Sequence, residues 1–157
     1  MTEQAMPVGG AVPYLIVSDA SGAIDFYKQA FGATEISRAA TPDGKRIMHA
    51  AIEINDATLM LMDDFPEARD GKGSTPEALG GSPVLIHLQL ADVDAVWNQA
   101  VAAGATVTMP LEDQFWGDRY GQLVDPYGHQ WSLATTVATP SDEDLRKGAE
   151  ESFGGST

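Results

Sequence analysis

The sequence predicts an α+β chain of two βαβββ modules in tandem, and three observations carry that reading. The order strand, helix, three strands occurs twice along the chain. Phe31-Gly32-Ala33-Thr34 matches Ala103-Gly104-Ala105-Thr106 at an offset of 104 − 32 = 72, and a helix stop followed by a strand at a fixed period marks internal repetition. Between the repeats, the stretch from Asp63 to Pro83 is rich in Gly, Pro, Asp and Glu and has no apolar period, as a surface linker does. The modules are placed at residues 8–64 and 84–137, the linker at 65–83 and a polar tail at 138–157. At 157 residues this is one domain made of two small modules that share a core.

Each element has a local cause. Ala11 to Val17 is short and apolar throughout, which predicts a strand buried on both faces. Asp19 or Ser21 can cap a helix whose stripe is Ala23, Ile24, Tyr27, Ala30 and Phe31, and Gly32 ends it. Strands at Thr34–Ala40, Arg46–Ile54 and Thr58–Met62 are separated by turns at Pro42-Asp43-Gly44 and Asn55-Asp56. The second module repeats the order: strand Val84–Ala91, a helix capped by Asp92 with stripe Val93, Val96, Trp97, Ala100, Val101, then strands near Thr106–Met109, Tyr120–Val124 and His129–Thr135. Asp125-Pro126-Tyr127-Gly128 is a turn by its chemistry. In the tail, Ser141-Asp142-Glu143-Asp144 has capping-box form and predicts a polar helix to about Ser152, with Phe153 and the residues after it fraying unless a neighbouring chain holds them.

Composition excludes several function classes. Nine Lys and Arg against 23 Asp and Glu give a net charge of −14, so the chain lacks the cationic surface that nucleic-acid binding needs. There is no cysteine, hence no disulfide framework, Cys-ligated metal or thiol nucleophile. Met1 to Pro7 shows no targeting pattern and no apolar run is long enough for a membrane span, which predicts a cytoplasmic protein without membrane partners. Gly71-Lys72-Gly73-Ser74-Thr75 lacks the Lys-Ser/Thr adjacency and the preceding strand of a phosphate loop.

Residues Pro13-Tyr14-Leu15, Ile47-Met48-His49-Ala50, His87-Leu88-Gln89-Leu90-Ala91-Asp92-Val93-Asp94, Phe115-Trp116-Gly117-Asp118-Arg119 and Asp125 to Thr135 resemble the glyoxalase/bleomycin-resistance/extradiol-dioxygenase (vicinal oxygen chelate) superfamily, in particular its PhnB-like branch. The resemblance implies a glyoxalase-like fold, two modules curling a mixed sheet around a cavity, and often a homodimer. In metal-dependent members of that superfamily His, Glu or Gln side chains on the first and last strands of each module hold a divalent ion. The corresponding positions are read here as Pro13, Met60, His87 and Ser132, of which His87 alone is a competent ligand. The expectation is therefore no metal at this site and no cofactor.

Strand alternation places His87, Gln89 and Ala91 on one face, and the resemblance makes that face the cavity, shared with Leu15, Met60, Met62, Gln130 and Ser132. His87, the candidate catalytic residue, is read either as a ligand-contacting acid or base or as a hydrogen-bonded core residue. Trp116 and Arg119 are expected near the rim, Arg119 either on a ligand or tied internally to Asp118 or Asp125. The face of His49 is as open to solvent or a partner chain as to the cavity, and His49 and His129 are both read as structural. The expected function is metal-free small-molecule binding by a homodimer. The alternative is an enzyme of the vicinal oxygen chelate type, using a divalent metal or His87 as acid and base.

Overall fold

The computed structural model describes residues 8–154. Met1–Pro7, read above for targeting signals, and Gly155–Thr157, expected above to fray, lie outside the described residues. The first module runs β1 (Tyr14–Val17), α1 (Ala20–Phe31), β2 (Thr34–Ala40), β3 (Ile47–Ile54) and β4 (Ala57–Asp63). A 3₁₀ turn (Pro66–Ala68) and a short helix α2 (Pro76–Leu79) follow. The second module runs β5 (Leu85–Gln89), α3 (Val93–Ala103), β6 (Thr106–Asp113), β7 (Asp118–Val124) and β8 (Gln130–Thr136), and α4 (Asp142–Phe153) closes the described chain. Two four-stranded sheets result, ordered β1-β4-β3-β2 and β5-β8-β7-β6. In each, the first strand pairs parallel with the fourth and the other pairs are antiparallel.

Local chemistry explains the element ends. Asp19 caps α1 by accepting from the Gly22 amide, and Gly32 closes it at φ 68°, a left-handed position that glycine takes without steric cost. Asn55 and Asp56 both have positive φ (50° and 62°), the geometry a two-residue hairpin turn requires between right-twisted strands. Thr75 caps α2, Pro76 starts it with φ already set, and left-handed Gly80 stops it, so the linker holds a helical turn that its aperiodic sequence did not announce. β6 runs four residues beyond Met109, through Pro110. It is an edge strand with a register shift between Met109 and Glu112, where a missing N–H leaves no central ladder partner unpaired. β1 is buried on one face only: Leu15 and Val17 are buried, Tyr14 is exposed and Ile16 is half-buried.

Helices α1 and α3 lie on one side of the sheets and form a single core with the inward strand faces. Leu15, Val17, Ile52, Leu61, Leu88, Leu123, Trp131 and Leu133 belong to it, with Ile24 and Tyr27 of α1 and Val93, Trp97 and Ala100 of α3. Polar bonds then tie one module to the other. Asp125 is 4% exposed. Its Oδ2 accepts from the Tyr27 hydroxyl at 2.6 Å and from Trp131 Nε1 at 2.9 Å. Its Oδ1 accepts from the Tyr127 and His129 amides. His129 Nε2 donates to the Ile16 carbonyl at 2.9 Å, the structural role expected for that residue. Within the first module, buried Asp63 accepts from the Ala20 amide at the start of α1 and from the Ile47 amide at the start of β3.

Candidate functional site

With the helices covering one face of each sheet, the opposite faces are open, and strand register decides what they carry. In the second sheet His87 pairs with Ser132, Ser132 with Gln122, Tyr120 with Ala134 and Asp118 with Thr136. Directly opposed residues share a face, so His87, Gln89, Ser132, Gln122, Tyr120 and Asp118 stand together. Gln130 shares the face, but its amide donates to the Ser82 carbonyl. The intervening residues Leu88, Gly121, Leu123, Trp131 and Leu133 are buried on the helix side.

The hydrogen bonds on this face assign donors and acceptors. Thr136 Oγ1 donates to Asp118 Oδ1 at 3.0 Å and therefore accepts from Gln89 Nε2 at 2.9 Å. That orientation turns Gln89 Oε1, an acceptor, toward His87, whose Nε2 donates to it at 2.8 Å. In the neutral imidazole Nδ1 then accepts from the Ser132 hydroxyl at 2.8 Å. Both ring nitrogens are occupied by protein groups. Tyr120 lies nearly parallel to the imidazole (19°) with centroids 6.1 Å apart, and Trp116 meets Tyr120 edge-on at 5.5 Å. Trp116, on the loop between β6 and β7, is 37% exposed, and this aromatic series forms a wall beside the polar groups.

The first sheet carries an inverted counterpart. Tyr14 pairs with Met60, Ile16 with Met62 and Ala51 with Met60, so these residues share its open face with His49 and Glu53. Tyr14 and His49 are joined by a 3.0 Å hydrogen bond and an edge-on ring contact at 5.6 Å. Burial raises the Tyr14 pKa. By register Tyr14 corresponds to His87 and His49 to Tyr120, so the two modules place the same two ring types at equivalent positions in exchanged order.

Four readings of the sequence change here. Leu15 leaves the open face for the helix-side core, because Tyr14, not Leu15, pairs with Met60. The counterpart of His87 is likewise Tyr14, not Pro13: α1 has 12 residues and α3 has 11, so the offset is 73 from Tyr14 to His87 but 72 from Gly32 to Gly104 and from Met60 to Ser132. His49 lies on an open face with Met60 and Met62. Arg119 leaves the His87 face altogether, since it alternates with Asp118 and Tyr120. Its guanidinium takes Asp94 at 2.9 Å and Asp113 at 3.3 Å, not Asp118 or Asp125. The hydrogen bond from Arg119 holds the Asp94 carboxyl below its usual pKa.

Met60 and Met62 stand on one open face and His87, Gln89, Gln130 and Ser132 on the other. Among the described residues no hydrogen bond or aromatic contact joins these two sets. A cavity of about 300 Å³ lies where the sheets approach one another, lined by Pro13, Ile54, Leu59, Leu85, His87 and Trp131 among others. Of the site residues expected from the sequence, only His87 borders it. Tyr120, Asp118 and Gln122 were missed, although alternation from Gly121 along β7 would have found them once β7 was registered against β8.

The donor set does not suit the divalent ion of the metal-dependent relatives. The four corresponding positions hold Tyr14, Met60, His87 and Ser132. None is a carboxylate, and the single imidazole has both nitrogens engaged. No group of three or more His, Asp or Glu side chains with metal-binding spacing occurs among the described residues. No described helix is long and apolar enough to cross a membrane.

Comparison with known proteins agrees with this architecture. The chain is 52% identical over 134 residues to an uncharacterized protein of Mycobacterium bovis, Mb0911c, covering 85% of this chain and 88% of that one. Among solved structures it resembles TioX from Micromonospora sp. ML1 at TM-score 0.61 and 26% identity, over 82% of this chain and all of that one. It shares its fold with the fosfomycin resistance protein FosX of Listeria monocytogenes, solved with Mn(II) and sulfate, at TM-score 0.60 and 20% identity, over 90% of this chain and 98% of that one. Residues 8–133, the first βαβββ module and the second as far as the middle of β8, match the Glyoxalase/Bleomycin resistance protein/Dioxygenase superfamily, and the chain belongs to that superfamily.

Proposed function

We propose that the protein binds a small planar organic molecule on the open face of its second sheet, without a metal, as a homodimer. The observation that carries the reading is the series Trp116, Tyr120, His87, three rings in sequence beside hydrogen-bonding groups. Flat apolar surface with a few fixed polar groups is what small-molecule sites consist of. With both nitrogens taken, His87 serves as a positioned ring, and Gln122 and Gln89 supply polar edges. The open face of the first sheet, with Tyr14, His49, Met60 and Met62, is a half-exposed surface that a second copy covers, as edge-bearing half-barrels favour. Light scattering should give about twice 16.6 kDa.

The test is a thermal-shift screen of planar aromatic compounds on chelator-treated protein. Compounds that raise the unfolding midpoint of the native chain should fail to do so with Tyr120→Leu or Trp116→Ala. Stabilisation that survives both substitutions, or that requires an added divalent ion, overturns the reading. The enzyme alternative has its own support in the defined His87 tautomer, with Nδ1 as the basic nitrogen against Ser132. It would show as product formation abolished by His87→Gln while ligand binding persists.

A further inference from the structure

We propose that the His87 face selects cationic over neutral and anionic planar ligands, and that Asp118 is the residue that makes the selection. The inference rests on the reading of that face as a planar-ligand platform and adds the ligand's charge class. Asp118 stands on the face at the start of β7, two residues from Trp116 and two from Tyr120. Its Oδ1 accepts from Thr136 at 3.0 Å and, at 3.5 Å, from Gln89. Its Oδ2 accepts no hydrogen bond among the described residues. The carboxylate is thus held in place by one oxygen, and the other is left without a protein donor on the face that carries Tyr120.

No Lys or Arg among the described residues pairs with it. Arg119 is adjacent in sequence, but alternation sends it to the opposite face, where Asp94 and Asp113 take its guanidinium. Lys28 and Arg38 pair with Glu35, Arg46 with Glu67, Arg69 with Asp64, Arg146 with Glu150 and Lys147 with Glu143. Lys45 and Lys72 lie in the β2–β3 turn and in the linker. The face therefore offers one unpaired carboxylate oxygen and the electron-rich faces of Trp116 and Tyr120 to anything that binds there. Both attract positive charge, and the net charge of −14 adds a long-range field of the same sign. An anion meets no donor cation and is repelled by Asp118.

The experiment compares three probes that share one three-ring frame: N-methylphenanthridinium, a permanent cation; phenanthridine, neutral at neutral pH; and phenanthrene-9-carboxylate, an anion. Each is titrated by isothermal calorimetry into the native chain, Asp118→Asn and Asp25→Asn. Asp25→Asn removes the same charge from an exposed position on α1, on the opposite side of the sheets from the face. The expected result is about tenfold tighter binding of the cation than of the neutral probe, the size of a partly exposed cation–π contact plus an ion pair. That preference should vanish in Asp118→Asn, persist in Asp25→Asn and weaken with added salt. Asparagine keeps an acceptor for Thr136, and the unfolding midpoint of the variant confirms its fold. Equal affinities for cation and neutral probe, a preference that survives Asp118→Asn, or an equal loss in Asp25→Asn overturns the charge selection while leaving the platform standing. Failure of all three probes to bind overturns the platform itself, and the charge selection with it.

Discussion

Replacing Tyr27 with phenylalanine deletes one oxygen at the junction of the two modules. The hydroxyl of this fully buried residue, on α1, donates to Asp125 Oδ2 at 2.6 Å, and Asp125 lies in the second module. The substitution leaves the ring contacts with Phe26, Phe31 and Trp131 in place, so packing changes little. What is lost is a short hydrogen bond to a buried carboxylate, a class worth about 1.5–3 kcal/mol. Oδ2 keeps the Trp131 indole at 2.9 Å, so the oxygen is not orphaned and the lower part of that range, about 1.5–2 kcal/mol, is expected. Urea unfolding should show the midpoint falling by somewhat under about 1 M at unchanged slope, taking a slope of about 2 kcal/mol/M. In a cycle with Asp125→Ala the two substitutions should be non-additive by about 1 kcal/mol or more, because each removes the same bond. A loss below about 0.5 kcal/mol, or strict additivity, would refute the claim that this bond joins the modules.

The same phenol makes stability depend on alkaline pH. Burial, and then the negative charge of Asp125, push the Tyr27 pKa well above its usual value. The folded state thus favours the protonated form: the contribution is whole below about pH 10, the unfolded value, and is lost as pH climbs from there toward the folded one. Unfolding titrations above about pH 10 should show a shallower decline in Tyr27→Phe, with Tyr14 and Tyr127, both raised by burial, supplying the rest. Gly121→Ala should destabilise the chain by about 1–3 kcal/mol and alter the near-ultraviolet dichroism of Trp97, since a Cβ there would sit 2.5 Å from the indole and 3.0 Å from the Leu111 Cα. Arg119→Gln should leave probe binding on the His87 face unchanged in calorimetry and return the Asp94 carboxyl toward its ordinary range by carboxylate NMR titration, because its partners lie on the other side of the sheet.

Most of the architecture is a local matter and could be read from the chain. Caps at Asp19, Asp92 and Ser141, stops at Gly32 and Gly104, and the Asn55-Asp56 turn each act on a few neighbouring residues, so their effect is visible without knowing the fold. The repeat was equally legible, because a helix stop and the strand after it lie side by side in sequence. Alternation likewise grouped His87 with Gln89, and Gln130 with Ser132, since a strand's period of two is a backbone property. Which strands lie beside one another, and in what register, is set instead by how the two helices pack on both sheets. That packing put Tyr14 rather than Leu15 beside Met60, a shift produced by one extra residue in α1 that no local signal marks. It also brought Tyr120 and Asp118 of β7 to the His87 face through β8, and sent Arg119 to Asp94 on the start of α3. These contacts join residues dozens of positions apart, and only the folded chain's burial of one shared core determines them.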